Sequence, residues 1–178
     1  MPDYPFYEER YTSATVIVVQ SGYNWVDICC IGGGGSGRTG GGGGGSVATK
    51  EYRVLESEWG TNLTCSVGLS ISSRDGGHTT VDGTLNGSAI TQLKGGGGAR
   101  ATGPAGGLGG TASGGDTNVS GNAGTDADIE IELYGEGGNG LENLFDTHTV
   151  LAAGTGGNGA ASGSAAGVNG QILIRWKV

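Results

Sequence analysis

The feature that most restricts this chain is glycine placed directly after an apolar strand: residues 28–55 read ICCIGGGGSGRTGGGGGGSVATKEYRVL. Holding glycine in one conformation costs roughly 0.5–1 kcal/mol more than holding alanine. Such a run is therefore either a flexible linker or architecture, in which the missing Cβ is what lets backbones touch. Two observations favour architecture. The interruptions are mostly Ala, Ser, Thr and Asn, and the runs lie between strand-like segments, where long structureless loops are uncommon. Glycine supplies 42 of the 178 residues, against three prolines and no strict Gly-X-Y repeat, which excludes a collagen triple helix.

The same stretch spells Gly32-x-x-x-x-Gly37-Arg38-Thr39, close to a phosphate-binding loop. That motif needs a lysine and a helix whose N-terminus faces the phosphate. Here arginine replaces the lysine, and six more glycines and a strand-like SVATKEYRV follow, so nucleotide binding is rejected. His78 and His148 stand apart in sequence and lack a nucleophile elbow. The chain does not read as an enzyme, and no cofactor or metal is expected. Asp126, Asp128, Glu130 and Glu132 read as a solvated face in preference to a cation site.

A net charge of −8 with nine scattered Lys and Arg argues against a nucleic-acid partner. Apolar runs are far shorter than the ~20 residues that span a bilayer, so membrane insertion is not expected. The opening MPDYPFYEERY, acidic and aromatic, does not read as a secretory signal. Cys29, Cys30 and Cys65 have no metal-ligand spacing and read as free buried thiols.

Short alternating or β-branched runs predict strands at 15–20, 24–31, 47–55, 62–67, 69–72, 78–82, 84–93, 128–133 and 171–177. The clearest period of two is DADIEIEL at 126–133, with Ile129, Ile131 and Leu133 on the face opposite the carboxylates. Trp25, Trp59 and Trp176 read as core. The expected fold is all-β: a small antiparallel β-sandwich, residues 15–178, with polyglycine-II-like insertions (32–46, 95–125 and 135–170) emerging from one end. At roughly 3.1 Å per residue the first insertion runs out and back by about 20 Å. Residues 1–14 are expected to form an extended arm, either a frayed terminus or an aromatic strap on a neighbouring chain.

The order of elements resembles a family. WVDICCIGGGGSGRTGGGGGGS is followed by GTNLTCSVG at 60–68, then GGHTTVDG, then LKGGGGA, and the chain closes on GQILIRW at 170–176. This order is similar to the glycine-rich domains of bacteriophage tail and other virion proteins. It departs from their pattern at Leu69-Ser70-Ile71-Ser72, which replaces a further glycine pair. The first insertion is also similar in kind to the polyglycine sandwiches of tail-fibre tip adhesins, which recognise host surface proteins or glycans with loops at one end.

The resemblance implies a virion structural protein, a tail or fibre component that exposes a glycine bundle for host-surface binding. Its implied partners are other virion proteins, further copies of itself (a homo-oligomer, possibly trimeric in phage symmetry) and a host surface protein or glycan. Tip contacts are expected at the far ends of the excursions: Arg38 and Thr39, Arg100 and Thr102, Asp116 and Asn118, and Leu141, Leu144 and Phe145, the last three alternatively plugging the sheet. Tyr4, Phe6, Tyr7 and Tyr11 are the expected virion-docking arm. The alternative is a capsid or tail decoration subunit without a receptor role. An ice-binding protein ranks third, because the insertions lack regular three-residue spacing of Thr or Ala.

Overall fold

Alternation of buried and exposed side chains builds the framework. The computed structural model describes residues 6–90, 93–139 and 154–178. Its strands in chain order are β1 (Phe6–Tyr11), β2 (Thr15–Val18), β3 (Trp25–Ile31), β4 (Val47–Arg53), β5 (Asn62–Ser66), β6 (Thr79–Asp82), β7 (Thr84–Leu85), β8 (Ser88–Ala89), β9 (Leu93–Gly95), β10 (Thr117–Val119) and β11 (Gln171–Lys177). One antiparallel sheet has the order β1-β11-β3-β4-β10 and a second β2-β5-β6-β9, while β7 and β8 form a separate hairpin. The fold is all-β and consistent with a two-sheet sandwich.

Period-two patterning decides which side chains meet between the sheets. Val26, Ile28 and Cys30 of β3 and Ile172, Ile174 and Trp176 of β11 share one buried cluster with Ile17, Leu63, Cys65, Val81 and Leu93 of the second sheet. Burying aliphatic side chains of this size contributes about 1.5–3 kcal/mol each. On the opposite face of β3, β4 and β11, Cys29, Ile31, Val47 and Leu173 form a second buried cluster beside the glycine segments. Further along that face charges take over: Arg175 pairs with Glu8 at 3.2 Å, and Lys177 reaches Asp27 at 2.9 Å and also Glu51.

Several expectations need correction. Residues 6–11 are not an arm apart from the domain, because β1 pairs along its length with β11 of the same chain, Tyr7 opposite Trp176. Residues 84–93 are not one strand. Asn86 (φ 53°) and Gly87 (φ 68°) lie in the left-handed region that turns a two-residue hairpin. The buried carboxylate of Glu58 holds that hairpin by accepting the N–H groups of Leu55, Asn86 and Gly87 at 2.9, 3.0 and 2.8 Å. Residues 69–72 form no strand. Residues 128–133 are a tight reversal closed by reciprocal Asp128–Leu133 backbone bonds of 2.9 Å. Ile129, Ile131 and Leu133 there are 63%, 70% and 59% exposed instead of facing a core. Trp25 is 41% exposed, whereas Trp176 is fully buried.

The glycine segments pack against one another with a period of three. Along the first excursion, Gly32, Gly35 and Arg38 donate their N–H groups to Ser46, Gly43 and Gly40 of its own return pass. Gly33 and Ser36 donate to Gly77 and Arg74, and Gly34 and Gly37 to Val168 and Ala165. On the return pass Gly41 and Gly44 donate to Thr125 and Asn122, and Gly42 and Gly45 to Gly157 and Gly154. Three successive amides thus point at three different neighbours, and the fourth returns to the first. That is the donor pattern of extended left-handed chains with three residues per turn and no internal hydrogen bonds.

The return pass 40–46 is the axis of this packing. Its backbone bonds reach passes 32–38, 96–103, 107–110, 121–125, 135–138 and 154–157, six neighbours on six sides. A Cβ on Gly41, Gly42 or Gly43 would come within 3.0 Å of a backbone oxygen of a different neighbour in each case. Outer passes have fewer neighbours and less glycine. In GGLGGT (106–111) every third residue, Leu108 and Thr111, is exposed, and in GNAG (121–124) both intervening residues are. Partner numbers rise or fall consistently, so the chain runs outward along 32–38, 96–101, 121–125 and 154–160 and back along 40–46, 106–111, 135–138 and 165–170. Residues 68–77, expected as strand and turn, supply a further excursion.

Candidate functional site

The excursions that follow Ile31, Ser66, Gly95 and Val119 leave the sheets at one end, so their reversals gather at the other. Each reversal is a place where side chains can return, because the packing around it is incomplete. Three reversals and one outward pass enclose a cleft of about 480 Å³ whose lining includes Ser36, Arg38, Ser73, Arg100, Thr102 and Ser164.

The floor of the cleft is rigid. Ser36, 1% exposed, donates both its N–H (3.1 Å) and its hydroxyl (3.0 Å) to the carbonyl of Arg74. Its own carbonyl accepts the N–H of Ala101 at 2.9 Å. One wall is fixed by Arg100, whose N–H donates to Asp75 Oδ1 at 2.8 Å and whose Nη1 donates to the carbonyl of Ser73 at 2.9 Å. The hydroxyls of Ser73 and Ser164 lie 2.8 Å apart and join two reversals. Ser73 (φ 64°) and Gly163 (φ 85°) take left-handed backbone to make those turns.

Charge at the cleft is unbalanced. Among the described residues Arg38 and Arg100 are exposed and enter no ion pair, and none of the described lining residues is a carboxylate. Two of the nine basic side chains that look scattered along the sequence therefore converge here. The arrangement offers guanidinium and hydroxyl donors on a fixed frame, suited to holding oxygen-rich ligands. Among the described residues no group of three His, Cys, Asp or Glu side chains converges.

The structure sorts the expected contacts. Arg38, Arg100 and Thr102 come together in the cleft. Thr39 lies at the same reversal without lining it, its carbonyl accepting the N–H of Gly135 at 3.0 Å. Asp116 and Asn118 are not at the tip. Thr117 and Val119 pair with Thr49 and Val47 on the free edge of β4, and Asp116 Oδ2 accepts the N–H of Glu51 at 3.3 Å. Leu141, Leu144, Phe145 and Tyr4 lie outside the described residues. Sequence reasoning missed Ser73 and Ser164. The signal for the first was Gly76-Gly77, which makes 68–77 an excursion like the others; Ser164 sits in a small-residue run with nothing to single it out.

No protein-family model matches this chain, and no curated protein does.

Two other features mark the molecule's ends. The reversal at 126–133 sits beside that at 103–105, with Ala127 donating its N–H to the carbonyl of Pro104 at 2.7 Å, and displays Ile129 and Ile131 between carboxylates. At the opposite end of the sheet Phe6, Trp25, Arg175, Lys177 and Val178 line a groove of about 440 Å³, with the Arg175 guanidinium 5.0 Å from the centre of the Phe6 ring. Cys29, Cys30 and Cys65 are buried and none of them is in a disulfide. Burial, with negative charge nearby, pushes Cys65 up to about 12 and Cys30 well above its ordinary value.

Proposed function

We propose that this chain is a non-enzymatic structural protein of a bacteriophage particle, a tail or fibre component whose glycine lattice is a pedestal for host-surface recognition. One observation carries the reading: backbone packed in three-residue register delivers Arg38, Arg100 and Thr102, distant in sequence, to a single cleft at the end away from the sheets. A lattice of ordered backbone gives a protease few segments to grasp, and reversals at its end tolerate change without disturbing the strands.

A second reading, a decoration subunit of the capsid or tail, draws on the groove at the opposite end, where Phe6 and Trp25 are 53% and 41% exposed. The two readings are compatible in one particle, with the groove attaching and the cleft recognising. Ice binding is disfavoured, because the outward positions of the lattice carry Leu108, Thr111, Glu136 and Asn158 instead of a regular threonine array.

Adsorption competition tests the proposal. Excess purified protein should block adsorption of the phage that carries it, and the Arg38→Glu/Arg100→Glu double variant should not. Antibody labelling should place the chain on the particle's exterior. Exterior labelling without competition leaves the decoration reading, and a chain absent from particles overturns both.

A further inference from the structure

We infer that the distal cleft binds a single oxyanion carried on a sugar, a carboxylate or phosphate flanked by hydroxyls. The inference rests on the recognition reading above and names the ligand chemistry of that site. Four observations converge on it.

The first is unsatisfied cationic capacity. Among the described residues the Arg38 guanidinium has no hydrogen-bond or ion-pair partner, and Arg100 commits only Nη1, to the Ser73 carbonyl. Each guanidinium presents five N–H donors in a planar fork that matches carboxylate and phosphate oxygens. The second is the hydroxyl rim. Ser73, Ser164 and Thr102 can each donate and accept, the pairing that sugar hydroxyls require.

The third is what the lining lacks. Among the described residues no aromatic ring lines the cleft to give the stacking platform a neutral sugar uses, and no large aliphatic side chain lines it. Affinity must then come from charge-assisted hydrogen bonds. The fourth is scale. A volume of about 480 Å³ suits one or two sugar units, within the usual range for small-ligand sites. The surrounding chain carries a net charge of −8, which repels an extended polyanion more strongly than a single small anionic group. Because Ser36, Ala101 and the Ser73–Ser164 pair hold the frame, the donors are pre-positioned and little ordering cost falls on binding.

The test is a titration of the isotope-labelled full chain, followed by NMR at the backbone amides and arginine Nε–H groups. The probes are glucuronate, glucose 6-phosphate, inorganic phosphate and neutral glucose. Saturable shifts at Gly37, Arg38, Gly163 and Ser164 are expected with glucuronate or glucose 6-phosphate, with Kd on the order of 1 mM for one sugar unit. Glucose should give none, and inorganic phosphate should bind more weakly than the sugar anion if the hydroxyl rim contributes. The stronger of the first two probes identifies carboxylate or phosphate as the anion. Arg38→Ala should weaken binding by about tenfold or more, and Arg38→Lys by less, since lysine keeps the charge and loses the fork.

Equal response to glucose, shifts that map elsewhere, or no saturable response to either sugar anion would overturn the inference. Its failure is separable from that of the recognition reading. If Arg38→Ala abolishes anion binding while the protein still competes for adsorption, recognition stands and uses another surface. If anions bind but the chain is absent from particles, the cleft stands and the virion reading falls.

Discussion

Gly42 donates its amide N–H to the carbonyl of Gly157 at 2.8 Å, while the amide of Gly138 donates to the carbonyl of Gly42 at the same distance. One residue in the centre of the lattice thus joins three passes of the chain, and a hydrogen on each side of its Cα is the condition for doing so. The carbonyl of Gly35 stands where a Cβ on Gly42 would go.

Gly42→Ala should therefore destabilise the protein by on the order of 3 kcal/mol or prevent folding, since the obstruction is backbone and cannot rotate away. Leu108→Ser, at an outward position 74% exposed, should stay within about 0.5 kcal/mol of the parent. Urea denaturation of the two variants gives the comparison. Equal losses would mean that the lattice is not close-packed.

Amide hydrogen exchange reads the same packing without mutation. The amides of Gly41, Gly42 and Gly43 donate to three separate passes and that of Gly44 returns to the first of them, so all four should exchange only by global or near-global opening. Exchange as rapid as in an unstructured peptide would contradict the lattice.

Ile131→Ser distinguishes a core residue from a displayed one. Alternation in DADIEIEL places Ile131 in a sheet core, where truncation costs about 2–5 kcal/mol. Its 70% exposure at a distal reversal instead gives a change within about 0.5 kcal/mol. Thermal unfolding decides between them.

Glu58 couples stability to acid. Burial by itself raises its pKa, but the N–H groups of Leu55, Gly87 and Asn86 outweigh burial and hold it below 4.5. A carboxylate whose folded pKa is depressed contributes stability above its unfolded pKa and loses it as pH falls through the folded value. Glu58→Gln should cost about 1–3 kcal/mol at pH 7, and the gap to the parent should shrink as the pH drops below about 4. Denaturant titrations at pH 7 and pH 3 measure both.

The thiols supply a further readout. With Cys65 pushed up to about 12 and Cys30 well above its ordinary value, little thiolate exists near pH 8. Labelling by a disulfide reagent should follow the unfolding rate instead of the ordinary reactivity of an exposed cysteine.

Much of the framework was legible because strand patterning is local. Val26, Ile28 and Cys30 alternate in β3, and Ile172, Ile174 and Trp176 in β11, and each needs only a facing sheet to bury them. Where no facing sheet exists the same signal misleads: Ile129, Ile131 and Leu133 alternate perfectly and point into solvent, because pass 121–125 carries them away from the sandwich before they can pair. Thr117 and Val119 err in the other direction. They lie within glycine-rich territory, yet pair with Thr49 and Val47 once pass 106–111 has returned the chain to the free edge of β4.

The amino-acid sequence by itself determined that backbone would have to meet backbone, since the unbroken run Gly40–Gly45 leaves no side chain with which to pack, and it determined how crowded each pass would be, through the number of glycines per three residues. Only the tertiary structure decided which pass lies beside which. A glycine amide is chemically the same as any other, so nothing local tells Gly42 to choose Gly157, or brings Arg38 to the cleft that Arg100 lines. Those pairings follow from where each strand enters and leaves the sheets, a property of the whole chain.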